Sequence, residues 1–215
     1  MLVQTIREKV VAFARRMHAD GLVTGTAGNI SSRVLGEERV AITPSSFPYE
    51  EMRPDDVPIL DLSGAVVVTG RAPSVEWGLH LAIYQARPDV GAIFHTHGVY
   101  SSVLAALHLP LPPIVEELVH YVGGQVEVAE YAPSQSPELS HNVAVTLGEK
   151  AAALVANHGN ICCGKDLASA YHVCQLVERV AHVHILACLL GKPIPIPAEV
   201  IKREQLAFER GKRKP

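Results

Sequence analysis

The chain has 215 residues, 48% hydrophobic and 19% charged, with a formal net charge of −3 at pH 7. This length suits one large domain or two small ones, and no linker, charge block or internal repeat divides it. An acidic balance argues against a nucleic-acid partner, which needs a basic face, and no apolar run approaches the roughly 18 residues of a membrane span. So few charges also point to surface buried against other subunits.

Val3, Ile6, Val10, Phe13 and Met17 alternate spacings of three and four, so the chain opens with an amphipathic helix ending near Asp20-Gly21. Arg7, Glu8, Lys9, Arg15 and Arg16 interrupt it too often for a signal peptide, and a cytoplasmic protein is expected. Residues 25–29 form a small-residue loop, and strands are predicted over 30–34 and 39–43. The segments 57–62 and 65–69 flank Ser63-Gly64 as a hairpin. Ser74 is placed to cap a helix carrying Leu79, Ala82, Ile83 and Ala86, which puts Glu76 in its first turn. A strand over 90–96, helices over 99–107 and 115–121 and a strand over 126–129 follow. Next come a helix over 136–148 and a strand over 151–156. Asp166 caps a long helix to Leu190, stopped by Gly191. Pro193, Pro195 and Pro197 bridge to a last helix and a basic tail over 211–215 that is expected to fray. Short strands and hairpins beside several helices give an α/β layered single domain over 1–191, with an extended segment, helix and tail over 192–215.

Two residues apart on one strand, His95 and His97 project from the same face. His158 ends a second apolar strand before Gly159, and Glu76 adds a carboxylate. Three imidazoles and one carboxylate form a catalytic zinc-type set with positions open to substrate, though cobalt, manganese or iron also suit such donors. His18, His80, His108, His120, His141, His172, His182 and His184 lack such a pattern and read as packing or surface residues. Cys162, Cys163, Cys174 and Cys188 include no Cys-x-x-Cys pair and read as reduced, packed thiols. The turns at Gly25-Thr26-Ala27-Gly28-Asn29, Ser45-Ser46 and Ser74 offer backbone amides and hydroxyls as a neutral cradle for an anion.

Six motifs then stand in order: GTAGNIS from Gly25, ITPSSFPYE from Ile42, PSVEW from Pro73, His95-Thr96-His97, Gly123-Gly124 and Asn157-His158-Gly159. The chain resembles the class II aldolase/adducin family in them, most closely its branch of fuculose- and deoxypentulose-phosphate aldolases. The resemblance implies a mainly antiparallel central sheet between helical layers and a homotetramer with sites at subunit interfaces. It implies one divalent metal, zinc first, on His95, His97 and His158, with Glu76 as the ligand that becomes the acid/base. Thr26, Asn29, Ser45, Ser46 and Ser74 would hold the phosphate of a small sugar phosphate. The expected reaction is reversible cleavage of a ketose 1-phosphate to dihydroxyacetone phosphate and an aldehyde, with the metal stabilising the enediolate.

Two departures from that branch stand out. Val75 replaces a serine, and Glu117 replaces the catalytic tyrosine as counted back from Gly123-Gly124. Glu117 is therefore expected to act as the second proton shuttle, with Glu116, Tyr121 or a plain solvated helix face as alternatives. An acidic residue there also admits a methylthioribulose-phosphate dehydratase; a metal-free adducin-like interaction module is the reading outside enzymology.

Overall fold

In the computed structural model, which describes residues 2–212, helix α1 (Leu2–Ala19) leads into β1 (Asn29–Arg33) and β2 (Arg39–Ile42). A short 3-10 turn over Pro54–Asp56 precedes β3 (Ile59–Asp61) and β4 (Val66–Val68). Then come α2 (Trp77–Ala86), β5 (Ala92–Thr96), α3 (Val99–Ala106), α4 (Glu116–Val122) and β6 (Val128–Ala129). The chain continues through α5 (Pro137–Leu147), β7 (Ala152–Val155), β8 (Gly159–Gly164), α6 (Leu167–Leu190) and α7 (Ala198–Lys212). The strands form one sheet in the order β4-β3-β2-β1-β5-β8-β7-β6. Only β6 and β7 run parallel, so the sheet is mainly antiparallel, as expected.

Helical layers cover both faces. On one, Val10, Ala14 and Met17 of α1, Leu104 of α3, Leu118 of α4 and Val177 of α6 pack with Phe94 and Ala92 of β5. On the other, Leu79, Ile83 and Tyr84 of α2 and Leu139 and Val143 of α5 pack with Ile93 and Ile161. Strand parity sends the adjacent Cys162 and Cys163 to opposite cores. It also turns His95 toward the α2 layer, on the side of Ile93 and away from Ala92 and Phe94. All four cysteines are free thiols, but Cys188 is exposed and so is not a packing residue.

Three expectations change. Helix α2 starts at Trp77, because residues 74–76 form a turn closed by Trp77 N–H on Ser74 O at 3.1 Å. Glu76 therefore stands at the N-cap position rather than in the first turn. The strand β8 was unexpected: its glycines at both ends and its low count of β-branched residues hide it in the sequence, yet it pairs with every residue of β5, from Asn160 to Gly164. The tail also does not fray through Lys212, which lies in α7 and ion-pairs with Glu149 at 2.5 Å; residues 213–215 fall outside the described ones. Helix α7 folds back onto α4, where Phe208 covers Gly123 and His120 meets Glu204 at 2.9 Å.

The capping of α6 is as expected, with Asp166 accepting from Ser169 N–H at 2.7 Å and Gly191 at the C-cap. By length and composition α6 is apolar enough to cross a membrane. Here its inner face is core, with Val177, Val180 and Ala181 all buried.

Candidate active site

β5 and the β7–β8 hairpin build the centre. His95 ends the part of β5 that pairs with β1, opposite Asn29, with His97 just beyond the strand. His158 sits in the three-residue turn, Ala156 to His158, joining β7 to β8, where Asn157 takes a left-handed φ of 54°. The turn presses against β5: a Cβ on Gly159 would lie 2.4 Å from Thr96 O and 2.9 Å from His97 Cδ2. Glycine is required there by that close approach.

The ring nitrogens converge. His95 Nε2 lies 2.9 Å from His97 Nε2 and 3.2 Å from His158 Nε2. Glu76 Oε2 is 3.3 Å from His95 Nε2, and Oε1 is 3.3 Å from His158 Nε2. A tetrahedral ion with Zn–N bonds of about 2.0–2.1 Å spaces its ligand atoms by about 3.3 Å, so this donor set fits a zinc-sized cation. Asn160 O accepts from His95 Nδ1–H at 3.1 Å, which leaves the Nε2 lone pair facing the centre. Asn160 is itself held by Thr96 Oγ1 at 2.7 Å.

Protonation states suit ligation. Burial lowers His95, and burial together with charge on His95 and His158 pushes His97 down to about 4, so both rings are neutral near pH 7. For Glu76, burial acts to raise the carboxyl. His95, His158 and hydrogen bonds from Asn29 and Ser134 outweigh it and hold the group below the ordinary carboxylate range. Asn29 Nδ2 donates to Oε2 at 2.9 Å and Ser134 Oγ to Oε1 at 3.1 Å.

The candidate anion cradle lies beside Glu76. An isolated bridge between Pro44 and Pro73 joins the loop after β2 to the turn before α2. Ser45 N–H bonds Ala72 O at 2.9 Å and Ser74 N–H bonds Thr43 O at 3.0 Å, so Ser45 and Ser46 come alongside Ser74. Ser74 Oγ accepts from Glu76 N–H at 3.3 Å. Thr26 is exposed on the loop leading into β1, a loop pinned by Tyr49 OH donating to Gly28 O at 2.7 Å. Burial raises the Tyr49 phenol, which keeps its proton.

His95, His97, His158, Glu76 and Asn29 therefore meet, with Ser74 adjoining. Glu117 does not join them within one chain: it ion-pairs with Arg179 of α6 on the exposed face of α4. Glu116 pairs with Arg203 at 3.0 Å, and Tyr121 is half exposed with its ring edge-on to His172. Ser134, His80 and Asn160 touch this machinery without having been singled out in the sequence. Only His80 left a signal, lying four residues after Glu76 and hence above it along α2.

The family model described as Class II Aldolase and Adducin N-terminal domain matches residues 8–185. A 5-deoxy-D-ribulose 1-phosphate aldolase of Bacillus thuringiensis is 34% identical over 209 residues, 97% of this chain and 98% of that protein. A 5-methylthioribulose-1-phosphate/5-deoxyribulose-1-phosphate aldolase of Rhodospirillum rubrum is 33% identical, covering 92% of this chain and 88% of its own. Among solved structures, an L-fuculose 1-phosphate aldolase superposes with a TM-score of 0.91 at 34% identity, covering 95% of this chain and 96% of the other.

Proposed function

The chain belongs to the class II aldolase and adducin N-terminal domain family, and we propose that it is a metal-dependent aldolase reversibly cleaving a ketose 1-phosphate to dihydroxyacetone phosphate and an aldehyde. The observation that carries this reading is the convergence of three Nε2 atoms on a buried carboxylate whose two oxygens are held by separate donors. An interaction module has no use for such a set. The relatives named for 5-deoxyribulose and 5-methylthioribulose phosphates support a substrate phosphorylated at C1.

His95, His97 and His158 would hold the ion, and Glu76 would join them when no substrate is bound. When bound, a divalent metal, zinc by the nitrogen-rich donor set, supplies Lewis acidity for the negative charge that develops as the carbon–carbon bond breaks. Glu76 is the acid/base: in synthesis it takes the proton from the hydroxymethyl carbon of dihydroxyacetone phosphate, and in cleavage it returns it. Ser45, Ser46, Ser74, Thr26 and the free amide hydrogen of Asn29 orient the phosphate with neutral donors. Val75 offers no hydroxyl beside them and is half exposed. Glu117, free at the surface apart from Arg179, serves a neighbouring subunit as the proton shuttle at the aldehyde oxygen. A cytoplasmic homotetramer with sites at its interfaces completes the assignment.

The test is product identification. Metal-loaded protein given 5-deoxyribulose 1-phosphate, 5-methylthioribulose 1-phosphate or L-fuculose 1-phosphate should release dihydroxyacetone phosphate. A diketone phosphate with its carbon skeleton intact would establish dehydration instead, and protein that binds no divalent ion would reject both enzyme readings.

A further inference from the structure

Behind Glu76 and Asn29 runs a buried polar chain of His80, Ser31 and Tyr84 that the catalytic reading does not use. Asn29 Oδ1 lies 2.5 Å from His80 Nε2; His80 Nδ1 lies 2.6 Å from Ser31 Oγ; Ser31 Oγ lies 2.8 Å from Tyr84 OH. Asn29, Ser31, His80 and Tyr84 are all buried, with His80 wholly excluded from solvent. They sit on two elements only. Asn29 and Ser31 are alternate residues of β1 facing α2, and His80 and Tyr84 are successive-turn residues of α2 facing β1.

The directions of these hydrogen bonds follow from one end. An ionised Glu76 only accepts, so Asn29 must present its amide nitrogen to Oε2 and its carbonyl oxygen to His80. His80 must then donate from Nε2, which makes it the Nε2–H tautomer and leaves Nδ1 to accept from the Ser31 hydroxyl. Ser31 oxygen in turn accepts from Tyr84 OH. Each group fills its role once, and none is left unpaired in the core. Reversing any member would set two lone pairs or two N–H groups against each other. The chain also cannot pass a proton to Glu76, because the Asn29 amide interrupts it.

We propose that His80 is a positioning residue for the proton-carrying carboxylate, acting through Asn29, with Ser31 and Tyr84 fixing its tautomer. This rests on Glu76 being the acid/base. With His80 in place the Asn29 amide cannot rotate, so one N–H is committed to Glu76 and the other is free for substrate. Without that donor the amide can turn its oxygen toward the carboxylate, and Glu76 swings out of line with the hydroxymethyl carbon.

The first test needs no activity. The ¹⁵N spectrum of His80 in the full-length metal-loaded protein should show a protonated Nε2 and an unprotonated Nδ1 at pH 7; the Nδ1–H tautomer would overturn the proposal. Paired variants supply the second test, read as exchange of the hydroxymethyl proton of dihydroxyacetone phosphate with deuterated solvent, without aldehyde. His80→Gln keeps a nitrogen donor near the Nε2 position, whereas His80→Asn keeps only the Ser31 contact. His80→Asn should slow exchange by about 10–100-fold, the usual loss on removing a partner that orients a ligand. Metal content should be unchanged, and His80→Gln should stay within about threefold of the parent. Equal exchange in folded His80→Asn and His80→Gln would make His80 a packing residue. If the parent itself exchanges no proton, the aldolase reading fails; crystal structures of the two variants still decide the positioning role, by whether the Asn29 amide and Glu76 rotate in His80→Asn alone.

Discussion

At the scale of single residues, the proposed chemistry needs Glu76, which stands 3.3 Å from two imidazoles, to act also as a base. Its hydrogen bonds from Asn29 and Ser134 fix both oxygens, so an amide at this position keeps the shape and loses the proton acceptor. Glu76→Gln is expected to lower kcat by about 10²–10⁴-fold, the range for a positioned acid/base. Metal content measured by elemental analysis should persist, because three histidine ligands remain. Glu117 makes the complementary case. Glu117→Gln should cost turnover while leaving bound metal and melting temperature in place, since an exposed ion pair with Arg179 adds only about 0–1 kcal/mol to stability. Turnover equal to the parent would leave Glu117 as half of a surface salt bridge.

Elements decide whether those residues meet. Asn157-His158 can reach His95 only because β8 returns along β5 at the distance a glycine permits. Gly159→Ala forces Thr96 O or His97 to move; the expected cost is about 1–3 kcal/mol by overpacking, seen as a lower denaturation midpoint, together with weaker metal retention. Helix α6 gives a control remote from the site. Asp166→Ala removes its N-cap and should cost about 1 kcal/mol with catalysis unchanged. Burial tends to raise the Asp166 carboxyl, but hydrogen bonds from Ser169 outweigh it and hold the group below its ordinary value. A depressed folded value means the contribution is present above the unfolded pKa of about 3.9 and is lost as pH falls through the folded one. The gap between parent and variant in urea melts should therefore narrow below about pH 4.

This level also shows what the sequence could and could not reveal. The parity of His95 and His97, the Asp166 cap and the stop at Gly191 are local rules, and each was legible. β8 was not, because Gly-Asn-Ile-Cys-Cys-Gly owes its strand conformation to two neighbours and not to its own propensity. Nor was the Asn29–His80 contact, which depends on where α2 lies across β1.

For the whole molecule, the sparse charge of the sequence has a physical counterpart. Val99, Val103 and Leu107 of α3 and its end are exposed, as are Val183, Leu186, Leu189 and Leu190 at the far half of α6. Helices α3 and α6 are adjacent, joined by Tyr100 stacked on His182 with ring centroids 3.7 Å apart. Their exposed apolar residues therefore fall on neighbouring elements, an arrangement that marks contact surfaces. Arg179 and its partner Glu117 lie on α6 and α4, so the same helix carries both the apolar residues and the contact of the proposed shuttle. If that surface joins subunits and Glu117 works across the boundary, assembly and turnover must fail together. The double variant Val103→Glu, Leu186→Glu is expected to shift the mass found by light scattering from four chains toward one and to lose turnover. It should retain bound metal, because His95, His97 and His158 come from one chain. A dispersed variant with parental kcat would show that the site is complete within a single subunit, and would return the search for the second proton shuttle to residues beside Glu76.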